Sequence, residues 1–484
     1  MSDIAIARNR FGLGARAGEA APANAKSWLL DQLGRFEPRP AAIANAPGRA
    51  EAAAQIVEYL QAGRANRQLR RAAQTPIADA TMPATPQPKN DMESAAMQAR
   101  RAERGDLRDI YAQSVAARAN AALTTATPFV ERLVHFWSNH FAISAEKPPV
   151  IAMAGNFEFD AIRPHVLGKF GDMLGAVERH PAMLTFLDQA QSIGPGSPAG
   201  QRAAGNGRTR GLNENLAREI MELHTLGVRT GYGQADVTEF ARALTGWTVG
   251  GIGRGPARRL GGGEPGDFTF ARQFHEPGAR TILGKSFAQN GEAQAQAVLD
   301  MLAVHPATAK HIATKLARHF VSDDPPAPLV VKLERAFVQS GGDLPTVYRA
   351  LVEAPEAWAA APAKFKTPWE WAVSAGRAVG AETFPAANVL GFVTQLGQPI
   401  WRPGSPAGFD DIAASWAGPD AVMRRVEAAE RFAGRARGEQ DARAMAASLF
   451  GDGLSEGTAT AIARAESPAQ GVALLLVSPE FMRR

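Results

Sequence analysis

The sequence predicts an all-α, multi-helix globular fold with long Gly/Pro-rich loop insertions and at most a small β element. Two observations carry this. Long stretches are rich in Ala, Leu, Arg and Glu, with few period-two runs of Val, Ile and Thr. Apolar residues also recur at three- and four-residue spacing in "SWLLDQLGRF", from Ser27, and in "PFVERLVHFWSNHF", from Pro128. The first of these helices belongs to an N-terminal helical segment, residues 1–73. "QTPIADATMPATPQPKND" (Gln74 to Asp91) lacks periodicity and is rich in Pro, Ala and Thr, so residues 74–105 are expected to form a linker. A main helical body over 106–380 follows, with a C-terminal helical segment over 381–484 packed on it. Two Gly-rich insertions, Gln191 to Gly211 and Val249 to Asp267, read as long loops flanking one helix pair, an arrangement that suits a binding mouth or an ordinary variable surface. The pair His-Pro recurs at His180 and His305, where Pro fits the first turn of a helix.

Composition limits the function. With 484 residues, 45% of them hydrophobic, the chain can bury a sizeable core. Cysteine is absent, which excludes disulfides and thiolate metal sites, so any metal must be held by His or carboxylate. No apolar run approaches the roughly 18 residues that span a bilayer, and the chain is not expected to be membrane-spanning. The opening residues show no basic stretch followed by a long apolar one; the cytoplasm is the expected location, with co-export to the periplasm beside a partner as the alternative. The net charge of +5 is mild for this length, and the basic stretches Arg64 to Arg71 and Met97 to Arg108 lack interleaved aromatics, so nucleic acid is not an expected partner.

The stretch with the densest chemistry is "NENLAREIMELHTLG", Asn213 to Gly227. At about 100° per residue on an α-helix, Glu214, Arg218 and Glu222 fall on one stripe with Asn215 and Glu219 beside it, opposite Leu212, Leu216, Ile220 and Leu223. A Glu-Arg-Glu ladder on a solvated face accounts for the stripe. Asn213 and His224 project to the apolar side and need partners, and Glu219 sits at the border where desolvation raises a carboxyl pKa. Gly227 is placed to cap the helix in the left-handed conformation. A second helix is expected from about Gln234 to Leu244, with Trp247 at its exit as a core plug or as a platform for a ring-shaped ligand.

Together with "ARNRFGLGARAGE", "VHFWSNHFAIS", "MLTFLDQAQSIGP", "FHEPGARTILGK", "HPATAKHIATKLARHFVSDDPP" and "LGQPIWRPGSPAGF", this stretch resembles the bacterial domain-of-unknown-function family DUF1800 over nearly the whole chain. The resemblance implies a neighbour rather than a reaction. Members of that family are commonly encoded beside a secreted family similar to sulfatases and alkaline phosphatases, which points to an envelope or export-linked pathway.

Other residues offer chemistry. "FHEPGARTILGK" sets His275, Glu276, Arg280 and Lys285 around a Pro-Gly turn, with a small strand at Ile282 and Leu283, and neither a Walker A loop nor a Gly-x-Ser-x-Gly elbow is present. Asp188 stands at a helix exit before the first Gly-rich insertion. A carboxylate pair, Glu219 or Glu222 with Asp188, is the minimal equipment for glycoside hydrolysis. Trp247, Trp369 and Trp401 are available as sugar platforms, and Arg402 to Phe409 as a rigid loop. The leading expectation is therefore a carboxylate-dependent hydrolase of an envelope or extracellular polysaccharide, needing no cofactor and no metal. Asn213, Asn215, Arg218, His224, Trp247 and His275 would bind its substrate. The alternative is a non-catalytic binding or assembly partner of a sulfatase-like protein. A third reading is a metal-dependent hydrolase using His135, His140 and His224, although His135 and His140, five residues apart, lack the i, i+4 spacing of a helical chelate.

Overall fold

Many of the described helices start at a side chain that accepts a hydrogen bond from a free backbone N–H. Ser197, Asp343, Thr367, Ser467 and Ser478 each cap a helix this way, with Pro in its first turn. The repeated His-Pro pairs behave alike: His180 Nδ1 accepts from the Ala182 amide at 3.2 Å, and His305 Nδ1 from that of Ala307 at 3.1 Å.

The computed structural model describes residues 2–74, 87–207, 211–252, 262–434 and 441–484. Helices dominate it, as the sequence predicts. Among the described residues the strands form two antiparallel pairs: β1 (Trp247–Val249) with β2 (Phe268–Phe270), and β3 (Arg280–Ile282) with β4 (Lys285–Phe287). No described helix is long and apolar enough to cross a membrane.

The expected linker differs. Residues 75–86 lie outside the described residues, but from Gln87 the chain is one helix to Thr124, packed against the helix Arg49–Gln74. The physical reason is composition: after Asp91 the stretch "MESAAMQARRAERGDLR" consists largely of strong helix formers, which outweigh the proline-rich run before it. The first Gly-rich insertion likewise contains a helix, Pro198–Gly205, started by the Ser197 cap; its residues 208–210, and 253–261 of the second insertion, lie outside the described residues.

One hydrophobic cluster runs from Ile6 to Met482 and draws on all three helical segments of the sequence reading. Phe11 shows how. Its ring lies 5.9 Å from Phe129, 5.8 Å from Phe320 and 5.1 Å from Trp358, so the N-terminal block is at the centre of the core.

Three π-helical turns, Ala7–Phe11, Phe157–Ile162 and Ile220–His224, interrupt the α-helical pattern. Each carries charged or imidazole side chains into the interior: Arg8 and Arg10, Glu158, and His224. The wider turn rotates a following side chain away from its α-helical position, so that apolar and polar groups of one short segment can share the buried side.

Candidate functional site

The stretch Asn213–Gly227 is mostly scaffold. Asn213 Oδ1 accepts from the Asn215 amide at 2.9 Å, and its Nδ2 donates to Leu187 O at 3.1 Å. Glu214 accepts from Thr238 Oγ1 at 2.7 Å and Gln234 Nε2 at 2.8 Å, tying the helix Asn215–Glu219 to the helix Gln234–Leu244. Arg218 spans Glu214 at 3.3 Å and Glu222 at 3.6 Å, the ladder expected from the wheel. His224 is fully buried with Nδ1 2.7 Å from Glu178 Oε1, so its partner is another core residue. Gly227 has φ +90, and a Cβ there would stand 3.0 Å from His311 Nδ1. Glu219 lacks a hydrogen-bond partner among the described residues, and burial pushes its carboxyl up from the ordinary value.

The π turn leaves carbonyls at its end without helical partners, and two histidines satisfy them. His140 Nε2 lies 3.1 Å from His224 O, and His311 Nε2 3.0 Å from Leu223 O. Both belong to helices, Pro128–His140 and Pro306–Phe320, that form part of the wall of a cavity of about 320 Å³. The stretch thus buttresses two helices of the cavity wall.

His319 and His135 give that cavity its chemistry. His319 Nδ1 stands 2.7 Å from Asp411 Oδ2. A carboxylate can only accept, so the proton is on Nδ1 and the lone pair on Nε2. His135 is set the opposite way: Trp369 Nε1–H donates to its Nδ1 at 3.2 Å, which puts the His135 proton on Nε2. Both Nε2 atoms are buried without a partner, and the nearest carboxylate oxygen to His135 Nε2, Glu131 Oε1, is 3.7 Å away. Burial, reinforced by Arg118, Arg163 and Arg132, holds His135 well below the ordinary imidazole value; burial also lowers His319, against the pull of Asp411. Both rings are neutral at pH 7, one with a free acceptor and one with a free donor.

Ion pairs fix these rings in place. Glu370 takes Arg132 Nη1 at 2.5 Å, Arg484 Nε at 3.1 Å and the Thr367 amide at 3.0 Å, the last within a capping box. Although burial opposes its ionisation, Arg484 and Arg132 hold its carboxyl well below the usual range. Asp411 also receives Lys364 Nζ at 3.2 Å; burial opposes its charge too, but His319, Lys364 and Arg484 keep it ionised. The Arg402–Phe409 loop closes one side of this cavity rather than standing beside the carboxylate pair. Asn139 clamps Phe409 by two hydrogen bonds of 2.8 Å, and a Cβ at Gly408 would fall 2.3 Å from Asn139 O, so only glycine permits the approach.

Other sequence candidates lie apart from this cavity. Asp188 pairs with Lys147 at 2.7 Å, and neither it nor Glu219 or Glu222 lines this cavity or any of four others in the described residues. Asn215 is exposed. Trp247 is fully buried with the Arg179 guanidinium 5.1 Å over its ring, which makes it the core plug and leaves no face for a sugar. His275 Nδ1 contacts Thr245 O at 2.9 Å, and the nearby Arg280 is already engaged by Glu239 at 3.2 Å. Trp369 and Trp401 do line the cavity, but their rings flank Arg118 at 4.4 and 5.7 Å. Among the described residues no three His, Asp or Glu side chains are grouped so as to hold a metal; His140 Nε2 is taken up by the carbonyl of His224.

Sequence reasoning missed His319, Asp411, Lys315, Arg118 and Glu370. One signal was available: His311, Lys315 and His319 recur every four residues, an unusual stripe on one helix face. No curated protein and no solved structure matches the chain. A family model does, over residues 6–483, and by that match the chain belongs to the family described as "Protein of unknown function (DUF1800)".

Proposed function

We propose that the cavity between His135 and His319 is the active centre of a hydrolytic enzyme that works by acid–base chemistry. The supporting observation is a pair of buried, unpartnered Nε2 atoms, one acceptor and one donor, on two histidines that line one cavity. Each costs about 1–3 kcal/mol if left unsatisfied in a core, a cost that function explains. His319, oriented by Asp411, takes a proton from water as it attacks. His135 Nε2–H, neutral at working pH, donates to the oxygen on which negative charge develops. The Trp369 indole holds the donor tautomer of His135.

The reading is tested with a panel of chromogenic esters, phosphodiesters and glycosides against wild type, His319→Gln, Asp411→Asn and Glu219→Gln. Removing a general base typically costs about 10²–10⁴-fold, so the first two variants lose that much while Glu219→Gln keeps its rate. The reverse pattern would transfer the chemistry to the carboxylate pair, a second reading favoured by the raised Glu219 carboxyl. Ser138, a further wall residue, gives the control: an unchanged rate in Ser138→Ala leaves water as the nucleophile.

A further inference from the structure

The acids and cations that line the cavity are unequally matched. Glu370 already accepts from Arg132, Arg484 and Thr367, and Asp411 from His319 and Lys364. Asp410 is exposed and accepts from Ser415 Oγ at 2.8 Å. The cations are different. Arg118 is 8% exposed, and its Nε is spent on Glu158 at 3.0 and 2.8 Å, yet its two terminal nitrogens have no partner among the described residues. Lys315 lines the same cavity with no ion pair or hydrogen bond among the described residues, and Arg318 uses only Nε, on Asp323 O at 3.2 Å.

We infer that this cavity receives an oxyanion, a carboxylate, sulfate or phosphate group of the substrate, on Arg118 and Lys315. The inference rests on the proposed active centre and adds its substrate class. Arg118 is held ready for such a group. Glu158 anchors one edge of the guanidinium, the Trp369 ring supports its face 4.4 Å away, and the remaining donors form the fork that matches a planar or tetrahedral oxyanion. Burial pulls the Lys315 ammonium down to about 8, so a bound anion supplies the partner it lacks. An uncharged substrate would leave Lys315 and the two terminal nitrogens of Arg118 without a hydrogen-bond partner in the cavity.

Isothermal titration calorimetry with acetate, inorganic sulfate and inorganic phosphate, each at constant ionic strength set by chloride, tests this. Wild type binds at least one of the three saturably, and the preferred arm separates a carboxylate from a tetrahedral anion. Lys315→Met and Arg118→Gln each weaken that binding tenfold or more. Lys315→Met removes no existing contact and keeps the test valid if Arg118→Gln fails to fold. His319→Gln binds the anion normally but loses turnover of the chromogenic panel, so the subsite and the acid–base reading fail separately. Equal binding by wild type and Lys315→Met, or no saturable binding of any of the three anions, overturns the inference.

Discussion

Glu370→Gln is the sharpest test of the network behind the cavity. The substitution keeps the shape of the side chain but removes the charge that faces Arg132 and Arg484, which are 1% and 0% exposed. The new amide presents an N–H group to donors that previously met oxygen. Breaking a buried ion pair by removing one partner costs about 3–5 kcal/mol. Unfolding entropy of about 2.1 cal/mol/K per residue makes 1 kcal/mol worth about 1 °C for 484 residues unfolding as one unit. The midpoint in differential scanning calorimetry should therefore fall by about 3–5 °C. Arg484→Met should cost clearly less in the Glu370→Gln background than in wild type, because the arginine there has already lost its carboxylate. A fall below about 1 °C, or additive effects in the double variant, would refute a cooperative buried network.

Acid should expose the same groups. Glu370 and Asp411 are held below their ordinary values of 4.5 and 3.8, so the unfolded chain takes up these protons first as pH falls. Their stabilisation is complete above those values and is lost as pH drops through the folded ones. Two such protons give a slope approaching about 2.7 kcal/mol per pH unit, and denaturant titrations below pH 4 should show about half of it in Glu370→Gln. His224→Ala, which strands the fully buried Glu178, should cost about 3–5 kcal/mol, whereas Arg218→Ala on its half-exposed ladder should cost at most about 0.5 kcal/mol. Glu219→Gln should leave the midpoint unchanged or raise it, since burial disfavours its charged form; a clear fall would mean that the carboxylate has a partner.

The sequence alone determined the helical class, a small β element at Ile282 and the helix punctuation by proline after His180 and His305. These depend on neighbours within about four positions, where propensity, periodicity and proline chemistry act locally. Sequence also exposed the Glu214-Arg218-Glu222 ladder and the rigid Arg402–Phe409 loop for the same reason. The helix beginning at Gln87 shows the limit even of local reasoning, because a proline-rich run masked the helix formers behind it.

Only the tertiary structure decided the site. A helical wheel assumes a constant 100° step, and the π turn at Ile220–His224 breaks that step in the middle of the stretch with the most candidate residues. Beyond it, the deciding contacts join residues far apart in the chain: His135 to Trp369, His319 to Asp411, and Arg132 through Glu370 to Arg484. Whether a histidine is a satisfied core residue or a poised base depends on what stands at each ring nitrogen. His224 and His319 each have a carboxylate at Nδ1 and a buried Nε2 without a partner, but only His319 lines the cavity, and that difference is the ground for proposing it as a base. No residue spacing encodes that difference, because it arises where separate helices close around a common space.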